Sequence, residues 1–434
     1  MQGKLNLITE KARQDKRLKF TSLIHHVNEE NLVQCYWELK RDKASGIDGV
    51  TVDAYGAKLT ENIKQLVERL KSKEYRPQPV RRVYIPKPGK AEKRGLGIPT
   101  VEDKLVQMML KKLLEAIYEP DFEEFSHGFR PKRSCHSAIR ELDKAVMYKP
   151  VRYIVEVDIR KFFDTVSHYW LLRCLEERVA DANLLWLTRR ILKAGVMEGG
   201  EYQPSKTGTP QGGVVSPLLA NIYLHYVLDI WFTRVVNPKA KGYMQMIRYC
   251  DDFVVCCEDE DDAKQFLVDL KERFAKFDLA VAEEKTKIVR FGRKSWEQWR
   301  QGGEKPATFN FLGFTHYCGT SLYGKFSMKH KTSKENLRRK LRETKEWLKS
   351  VCRTELIKDW WPILKAKLSG HYRYFGISSN YRSLEQYYLE TIGLVYKWLK
   401  RRSQRSQITW EMFSRELTRT RVPKPKIYHN LYAP

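Results

Sequence analysis

The stretch MIRYCDDFVVCC holds two adjacent aspartates, Asp251 and Asp252, between apolar residues. Two anions lie side by side in such a setting only where a cation binds them or water reaches them. A third aspartate, Asp158, ends the segment YIVEVD, whose alternating apolar residues predict a strand. If this strand packs antiparallel to the segment around Asp251, the three carboxylates meet. Carboxylate oxygens are hard ligands, and Mg²⁺ takes a few of them while leaving room for phosphate oxygens.

This arrangement predicts phosphoryl-transfer chemistry. Two Mg²⁺ ions about 4 Å apart can stabilise both the attacking and the leaving oxygen of such a reaction. Bound ions also explain how Asp251 and Asp252 survive among apolar neighbours. The alternative is that the pair forms only a hairpin turn, where aspartate is common. The presence of Asp158 and the basic composition of the chain favour the metal site.

The chain carries a large excess of positive charge. Its 434 residues include 80 Lys and Arg against 53 Asp and Glu, a net charge of +27. Such a surplus repels itself unless it meets a polyanion, so nucleic acid is the leading expected partner. An anionic membrane surface is a weaker alternative, because no lipidation signal and no apolar stretch of about 18 residues is found. Eight scattered cysteines without a CxxC pair indicate reduced thiols, as in a cytosolic protein.

Several elements are expected to position the three aspartates. Short apolar segments at 83–85 and 96–98 indicate a hairpin with a basic loop. Apolar residues at helical spacing predict helices over 101–118, 170–194 and 261–278, and further helices from about Ser134, Ser167 and Pro217 onward. Strands are predicted at 153–158, on both sides of Asp251, as a pair within LAVAEEKTKIVRFG, and as one strand in FNFLGFTHYC.

The composition changes near residues 325–335. Residues 329–434 hold 25 Lys and Arg against 9 Asp and Glu, so a quarter of the chain carries over half of the net charge. Helical stretches there, such as WWPILKAKLSGHYRYFG, mix basic with aromatic residues. Because the composition changes here, a domain boundary is predicted in this region. The mixture of cations and aromatic rings suits structured RNA, which offers phosphates to the cations and exposed bases to the rings.

The order of several motifs resembles that of one protein family. The chain contains in sequence IPKPGKAEKRGLGIPT, HGFRPKRSCHSAI, VDIRKFFDTVSH, GTPQGGVVSPLLANIYL, RYCDDF, EEKTKIV, FLGF and a basic segment that begins LSGHYRYFG. This series is similar to that of group II intron reverse transcriptases, also called maturases, over residues 28–434. The family usually has alanine where this chain has Cys250, and a small residue fits in either case.

The resemblance implies an α+β right-hand polymerase. Residues 1–150 would form an N-terminal extension and the fingers, residues 151–328 the palm with its antiparallel sheet and some fingers elements, and residues 329–434 a basic helical thumb, or maturase domain X. It also implies that two Mg²⁺ ions are held by Asp158, Asp251 and Asp252, with help from the Ile159 carbonyl.

Further site residues follow from the same resemblance. Phe163, five residues after Asp158, would exclude ribonucleotides and so favour a DNA product. Its neighbour Phe162 is expected in the core. The nucleotide contacts would comprise Lys87, Arg94, Phe163, Gln211, Gly212 and Lys285. The primer grip would comprise Phe311, Leu312, Gly313 and Phe314. The densest RNA-binding patch would comprise Lys400, Arg401, Arg402 and Arg405. Each group has a plainer alternative, namely surface cations, apolar packing or a solvated helix end.

The resemblance implies an RNA-directed DNA polymerase that also binds its parent group II intron RNA and promotes splicing and mobility. The expected partners are that RNA, an RNA template with a DNA primer, target DNA and deoxynucleoside triphosphates, with no membrane. One alternative is a domesticated reverse transcriptase in phage defence or a CRISPR-associated system, which the DNA flanking the gene would distinguish. A splicing-only RNA-binding maturase is another, against which the three aspartates argue. A cytoplasmic bacterial location, at the nucleoid when DNA is bound, is expected, with no nuclease after the thumb.

Overall fold

The structure is a computed structural model that describes residues 2–86, 93–209, 212–402 and 407–431. It combines α-helices with β-sheets, which confirms the predicted mixed α+β class. The strands are β1 (Val80–Pro86), β2 (Lys93–Ile98), β3 (Tyr153–Asp158), β4 (Val196–Glu198), β5 (Glu201–Gln203), β6 (Met244–Tyr249), β7 (Asp252–Cys257), β8 (Lys287–Arg290), β9 (Phe309–Phe311), β10 (Phe314–Thr320) and β11 (Phe326–Thr332).

The helices begin and end close to the boundaries that capping residues predict. Thr100 caps the helix that follows it, and Ser134 and Ser137 form a reciprocal capping box at another. The helices are α1 (Gln2–Gln14), α2 (Glu29–Glu38), α3 (Val52–Gly56), α4 (Leu59–Lys71), α5 (Val101–Tyr118), α6 (Cys135–Tyr148), α7 (Phe162–Thr165), α8 (His168–Glu176), α9 (Ala182–Leu192), α10 (Ser216–Leu224), α11 (Glu260–Ala275), α12 (Arg293–Arg300), α13 (Lys334–Thr354), α14 (Ile357–Phe375), α15 (Tyr381–Lys400) and α16 (Trp410–Arg419). Two π-helical segments, His225–Asp229 and Phe232–Val236, continue α10.

The central sheet has the strand order β6-β7-β3-β8. Strand β3 pairs antiparallel with both β7 and β8, and β6 pairs antiparallel with β7. Both faces of this sheet are covered. Val155 faces a large apolar core built on α5, α8 and α10, whereas Ile154 faces a second core shared with α6 and strands β9 to β11. Because packing on both faces fixes the register, the ends of β3 and β7 are held side by side.

Two smaller sheets flank the central one. The predicted hairpin at 83–85 and 96–98 is confirmed, since Val83 lies opposite Leu96 in the antiparallel pair of β1 and β2. Strands β4 and β5 extend this sheet beyond β1. The other sheet has the order β11-β10-β9 and is followed by α13, α14 and α15, which enclose a core of their own. None of the helices in the described ranges is both long enough and apolar enough to cross a bilayer.

Three predictions about individual elements are wrong. The helix expected over 170–194 is broken into α8 and α9, because Asp181 caps a new helix with its carboxylate. The segment LAVAEEKTKIVRFG contains one strand, β8, rather than a pair; its first part makes only an isolated bridge from Val281 to Ile159. The segment FNFLGFTHYC forms two strands, because Leu312 and Gly313 adopt positive φ angles of 49° and 84° and turn the chain.

Candidate active site

The ends of β3 and β7 bring the predicted carboxylates together. Asp158 lies directly opposite Asp252 in the antiparallel register of the two strands. Asp251 occupies the turn that immediately precedes β7. The pairing on which the predicted metal site depends is therefore present, while the catalytic role of the three side chains stays a prediction. Ile159, expected to offer its carbonyl, is buried at the bridge to Val281.

The turn between β6 and β7 is only two residues long. Tyr249 pairs with Asp252, so only Cys250 and Asp251 connect the strands. Cys250 has a φ of 59°, the left-handed region that two-residue hairpin turns require. A Cβ atom at Gly128 would lie 2.4 Å from the Cys250 nitrogen, so glycine is needed there to let the two backbones approach. The Cys250 side chain is buried, as expected for a position that accepts only a small residue.

The electrostatics of the site are dominated by carboxylates that lie close together. The pKa of the Asp252 carboxyl is raised to about 8, first by burial and then by the nearby carboxylates of Asp251, Asp158 and Glu156. The amide of Leu312 opposes this increase by donating a hydrogen bond to Asp252. Proton uptake by Asp252 would relieve the repulsion among these groups, and so would a bound cation.

Lys285 is a cation at this site. Its ammonium group donates a hydrogen bond to Oδ2 of Asp158. Burial lowers the pKa of Lys285, but the hydrogen bond and the charge of Asp158 outweigh it and raise that pKa overall. Lys285, which the family resemblance placed near a nucleotide phosphate, thus lies in contact with Asp158.

The residues at the strand ends suit a divalent metal of the Mg²⁺ type. The donors are carboxylate oxygens, and their mutual repulsion raises the pKa of Asp252. Across the described ranges, no three His, Cys, Asp or Glu side chains stand close enough to enclose a metal ion by themselves. Mg²⁺ in proteins commonly has only one or two carboxylate ligands and keeps several waters or substrate oxygens in its coordination sphere.

The turn between β9 and β10 reaches the same carboxylates. Besides the Leu312 amide at Asp252, the hydroxyl of Tyr374 donates to the Leu312 carbonyl at 3.0 Å. Phe311 and Phe314 on either side are buried, which agrees with apolar packing, whereas Leu312 and Gly313 are partly exposed. The FLGF segment therefore joins the sheet to α14 beside the site, and its role as a primer grip stays a prediction.

Phe163 is held by a strap of backbone hydrogen bonds. The amide of Thr209 donates to the Phe163 carbonyl at 2.8 Å, and the amide of Gly208 donates to the Val166 carbonyl at 2.7 Å. Gly208 has a φ of 83°, and a Cβ there would lie 2.7 Å from the Phe163 carbonyl oxygen. Phe162 is buried, as predicted, while Phe163 is only partly buried. The strap was not predicted, although the small residues of TGTP could have indicated close backbone contact.

Of the remaining residues predicted to contact the nucleotide, the structure describes only some. Lys87 and Gln211 lie outside the described residues, and so does the side chain of Arg94, whose backbone pairs with Ile85 in the hairpin. Gly212 has a φ of 108°, and a Cβ there would lie 2.5 Å from the carbonyl oxygen of Gly97 in β2. Glycine at this position is therefore explained by its contact with the hairpin.

The predicted RNA-binding patch lies at the end of α15. Lys400, Arg401 and Arg402 are exposed, whereas Arg405 is outside the described residues. Lys400 stands over the ring of Tyr396 at 5.6 Å, and Arg402 donates to the Glu355 carbonyl at 3.0 Å. Trp398 and Leu399 are buried, as predicted. RNA binding by this patch stays a prediction.

One buried arginine beside the site was missed by sequence reasoning. Arg248 stands two residues before Cys250 and is fully buried. Both oxygens of Asp229 accept hydrogen bonds from its guanidinium, and so does the Cys250 carbonyl at 3.0 Å. The signal was available, because Arg248 interrupts the apolar run MQMIRYC and Asp229 interrupts the apolar run YVLDIWF. Paired opposite charges in two apolar segments indicate a buried ion pair.

Comparison with known proteins identifies the class that this fold and site define. The family model described as reverse transcriptase (RNA-dependent DNA polymerase) matches residues 85–316. The match covers just over half of the chain and includes Asp158, Asp251 and Asp252. The chain therefore belongs to the reverse transcriptase family.

Three of the relatives carry names that refer to introns. The chain is 36% identical over 268 residues to the group II intron-encoded protein LtrA of Lactococcus lactis subsp. cremoris, an alignment that covers 59% of this chain and 44% of LtrA. It is 39% identical over 199 residues to an uncharacterised 91 kDa protein in the cob intron of Schizosaccharomyces pombe, covering 46% of this chain and 24% of that protein. It is also 33% identical over 134 residues to nuclear intron maturase 4 of Arabidopsis thaliana, covering 30% and 16%. Each alignment spans less than half of the relative's length.

Proposed function

We propose that the protein is an RNA-directed DNA polymerase whose active site lies at the ends of β3 and β7. One observation carries the proposal: Asp158 lies opposite Asp252, with Asp251 in the adjoining turn, inside the region that matches the reverse transcriptase family. When bound there, two Mg²⁺ ions would stabilise the charge that develops during nucleotidyl transfer. The chain's own residues then supply position rather than covalent chemistry.

Each neighbouring residue has a defined task in this proposal. The Leu312 amide orients the Asp252 carboxylate. Lys285 places an ammonium group beside Asp158, where it can bind a phosphate oxygen of the leaving pyrophosphate. Phe163, fixed by the strap at Gly208, would lie under the sugar and exclude a 2′-hydroxyl. The hairpin of β1 and β2 would present Lys87 and Arg94 to the triphosphate, and Gln211 and Gly212 would contact the nascent base pair.

The proposal extends to a right-hand arrangement of the chain. Residues 1–150 would serve as N-terminal extension and fingers, 151–328 as the palm, and 329–434 as a thumb that is also maturase domain X. The composition of the last segment supports this division, since it holds 25 Lys and Arg against 9 Asp and Glu. Phe311, Leu312, Gly313 and Phe314 would then grip the primer at the junction of palm and thumb.

A second activity, binding and folding of group II intron RNA, rests on a separate observation. LtrA is a group II intron-encoded protein, and the basic C-terminal quarter suits a large structured RNA. In this proposal the partners are the intron RNA, an RNA template with a DNA primer, deoxynucleoside triphosphates and target DNA at the nucleoid. The carboxylates at β3 and β7 argue against a protein that only binds RNA.

The direct test replaces the turn carboxylate and measures two properties. Asp251→Ala should abolish primer extension on an RNA template while leaving the affinity for RNA within about threefold, because the site is small beside the basic surface. Asp269→Ala, which removes a partly exposed carboxylate on α11, is the matched control and should keep full activity. Near wild-type extension by the Asp251→Ala protein would refute the assignment of the active site.

A further inference from the structure

The buried guanidinium of Arg248 donates five hydrogen bonds, and one of them goes to the turn between β6 and β7. Its Nε donates to Asp229 Oδ1 at 2.7 Å, and its Nη2 donates to the other carboxylate oxygen of Asp229 and to Ser126 Oγ at 2.8 Å. Its Nη1 donates to Asn221 Oδ1 at 3.1 Å and to the Cys250 carbonyl at 3.0 Å. Arginine has five N–H donors, so every one of them has an acceptor.

The bond to the Cys250 carbonyl is the contact that bears on the proposed active site. Cys250 has a φ of 59°, a conformation that is strained for a residue other than glycine. Such a conformation persists only where the surrounding structure imposes it. Arg248 imposes it from inside the protein, since its side chain is 0% exposed.

The same network holds the outer side of the turn. Asn221 accepts from Arg248 and donates through Nδ2 to the Gly128 carbonyl at 2.5 Å. Gly128 in turn packs directly on the Cys250 nitrogen, where a Cβ would lie 2.4 Å away. Backbone hydrogen bonds join this segment to β6, from the Arg248 amide to the Phe125 carbonyl and from the His127 amide to the Arg248 carbonyl. The turn is thus held between a buried arginine and a close-packed glycine.

We propose that Arg248, with its partners Asp229 and Asn221, is a positioning residue that fixes the turn carrying Asp251 and Asp252. This inference rests on the proposed function of those carboxylates. Asp229 neutralises the charge of Arg248, so the effect on the site is exerted through the position of the backbone rather than through a long-range field. A displacement of about 1 Å at reacting groups can cost about 100-fold in rate, which sets the scale of the effect.

The test exchanges the buried ion pair for apolar side chains of similar size. Arg248→Met with Asp229→Leu removes the bond to the Cys250 carbonyl without leaving an unpaired charge, a change that proteins often tolerate. The matched control is Arg178→Met with Asp121→Leu, which removes a second buried pair, 3.3 Å apart, that does not contact the turn. Both double variants are compared with the wild type by thermal unfolding, by kcat and KM for a deoxynucleotide, and by Mn²⁺ binding in electron paramagnetic resonance.

The Arg248 double variant should lose about 100-fold in kcat, with KM changed by less than about threefold, and should bind Mn²⁺ about tenfold more weakly. The control should keep both properties although it unfolds at a similarly lowered temperature. Equal kcat and equal Mn²⁺ affinity in the two double variants would overturn the proposal. If the wild type itself fails to extend a primer, the proposed function fails, and the comparison of Mn²⁺ affinities still decides the positioning role.

A second variant covers the case in which the Arg248 double variant does not fold. Gly128→Ala leaves the ion pair intact and presses a methyl group against the Cys250 nitrogen. It should show the same pattern of a lowered kcat, a nearly constant KM and weakened Mn²⁺ binding. Wild-type values for all three in a folded Gly128→Ala protein would overturn the proposal.

Discussion

At the scale of single residues, the site is defined by several carboxylates gathered at the ends of two strands. Asp252 is surrounded by Asp158, Asp251 and Glu156, and its pKa is raised to about 8 by burial and by these carboxylates. Lys287 pairs with Glu156 at 3.2 Å, and Lys285 contacts Asp158. Two lysines therefore compensate part of the negative charge, and a divalent cation would compensate the rest in the proposed reaction.

Phe163 gives a prediction at this scale. Because the strap fixes its backbone and its ring is only partly buried, Phe163→Ala should open space for a 2′-hydroxyl without disrupting the core. We expect incorporation of ribonucleotides relative to deoxyribonucleotides to rise about 10-fold, measured by primer extension with each nucleotide type. The control is Phe162→Leu, which should lower stability without changing the ratio. An unchanged ratio in the Phe163→Ala protein would identify the residue as core packing.

At the scale of elements, a loop positions a short helix by close backbone contact. Gly208 lies against α7, and a Cβ atom at Gly208 would lie 2.7 Å from the Phe163 carbonyl oxygen. A Cβ atom at Gly49, in contrast, would have no atom of the described residues within 4 Å beyond its chain neighbours. Both glycines have positive φ, 83° and 70°, so alanine strains the backbone at each. Only at Gly208 does alanine also overpack.

The two glycines therefore make a matched pair of variants. Gly208→Ala should lower the free energy of unfolding by about 1–3 kcal/mol more than Gly49→Ala does, measured by urea denaturation. It should also reduce primer extension, because the strap supports Phe163. Equal losses of stability in the two variants would show that the contact between the loop and α7 is not tight.

Packing of α14 against α15 gives a prediction about pH. His371 stacks on Tyr387 with ring centroids 3.7 Å apart, and neither ring nitrogen has a hydrogen-bond partner among the described residues. Burial lowers the pKa of His371 to about 3, and the charge of Lys340 adds to this effect. Between pH 6.5 and pH 3 the unfolded chain therefore binds a proton that the folded protein does not. Stability should fall as the pH decreases through this range, by up to about 1.4 kcal/mol per unit from this group.

His371→Phe removes the titrating group and keeps a ring against Tyr387. Its free energy of unfolding should depend less steeply on pH between 4 and 6 than that of the wild type. Phe413→Leu, which alters a buried ring of the same core without removing a titrating group, is the control and should keep the wild-type slope. Parallel curves for the wild type and the His371→Phe protein would contradict the assignment of this histidine as a buried neutral group.

The sequence predicted those elements whose signals are local and repeated. Helix α5 has the predicted bounds because apolar spacing and the Thr100 cap agree. The break at Asp181 was missed because the apolar pattern continues through it, and only the three-dimensional cap ends one helix and starts the next. The carboxylates of the site were found because identical charges in apolar strands are conspicuous. The Leu312 amide and the strap at Gly208 were not, since backbone groups leave little trace in side-chain patterns.

At the scale of the whole molecule, the positive charge is concentrated in the C-terminal quarter. Residues 329–434 carry a surplus of 16 positive charges, and phosphate contacts should dominate their affinity for RNA. Replacing Lys400, Arg401, Arg402 and Arg405 with Ala should weaken binding to the parent intron RNA. The slope of log K against log salt should flatten by up to about 0.9 for each lost duplex phosphate contact.

A control of equal charge separates this effect from a general loss of positive charge. Replacing Lys64, Lys71, Lys73 and Arg76 with Ala removes the same number of cations from α4 and the segment after it, where all four are exposed. The C-terminal variant should lose more intron affinity and splicing assistance than this control, while extension on a short primer-template stays similar in both. The same slope and affinity in the two variants would show that the patch is only a solvated helix end.

The central claim, that the carboxylates at the ends of β3 and β7 perform nucleotidyl transfer, is tested most directly at Asp252. Asp252→Asn keeps the shape of the side chain and removes its charge, and Asp269→Asn makes the same exchange at a partly exposed position on α11. We expect primer extension on an RNA template to fall at least about 100-fold in the Asp252→Asn protein and to remain unchanged in the control, with equal affinity for RNA. Extension near the wild-type rate by a folded Asp252→Asn protein would contradict the claim.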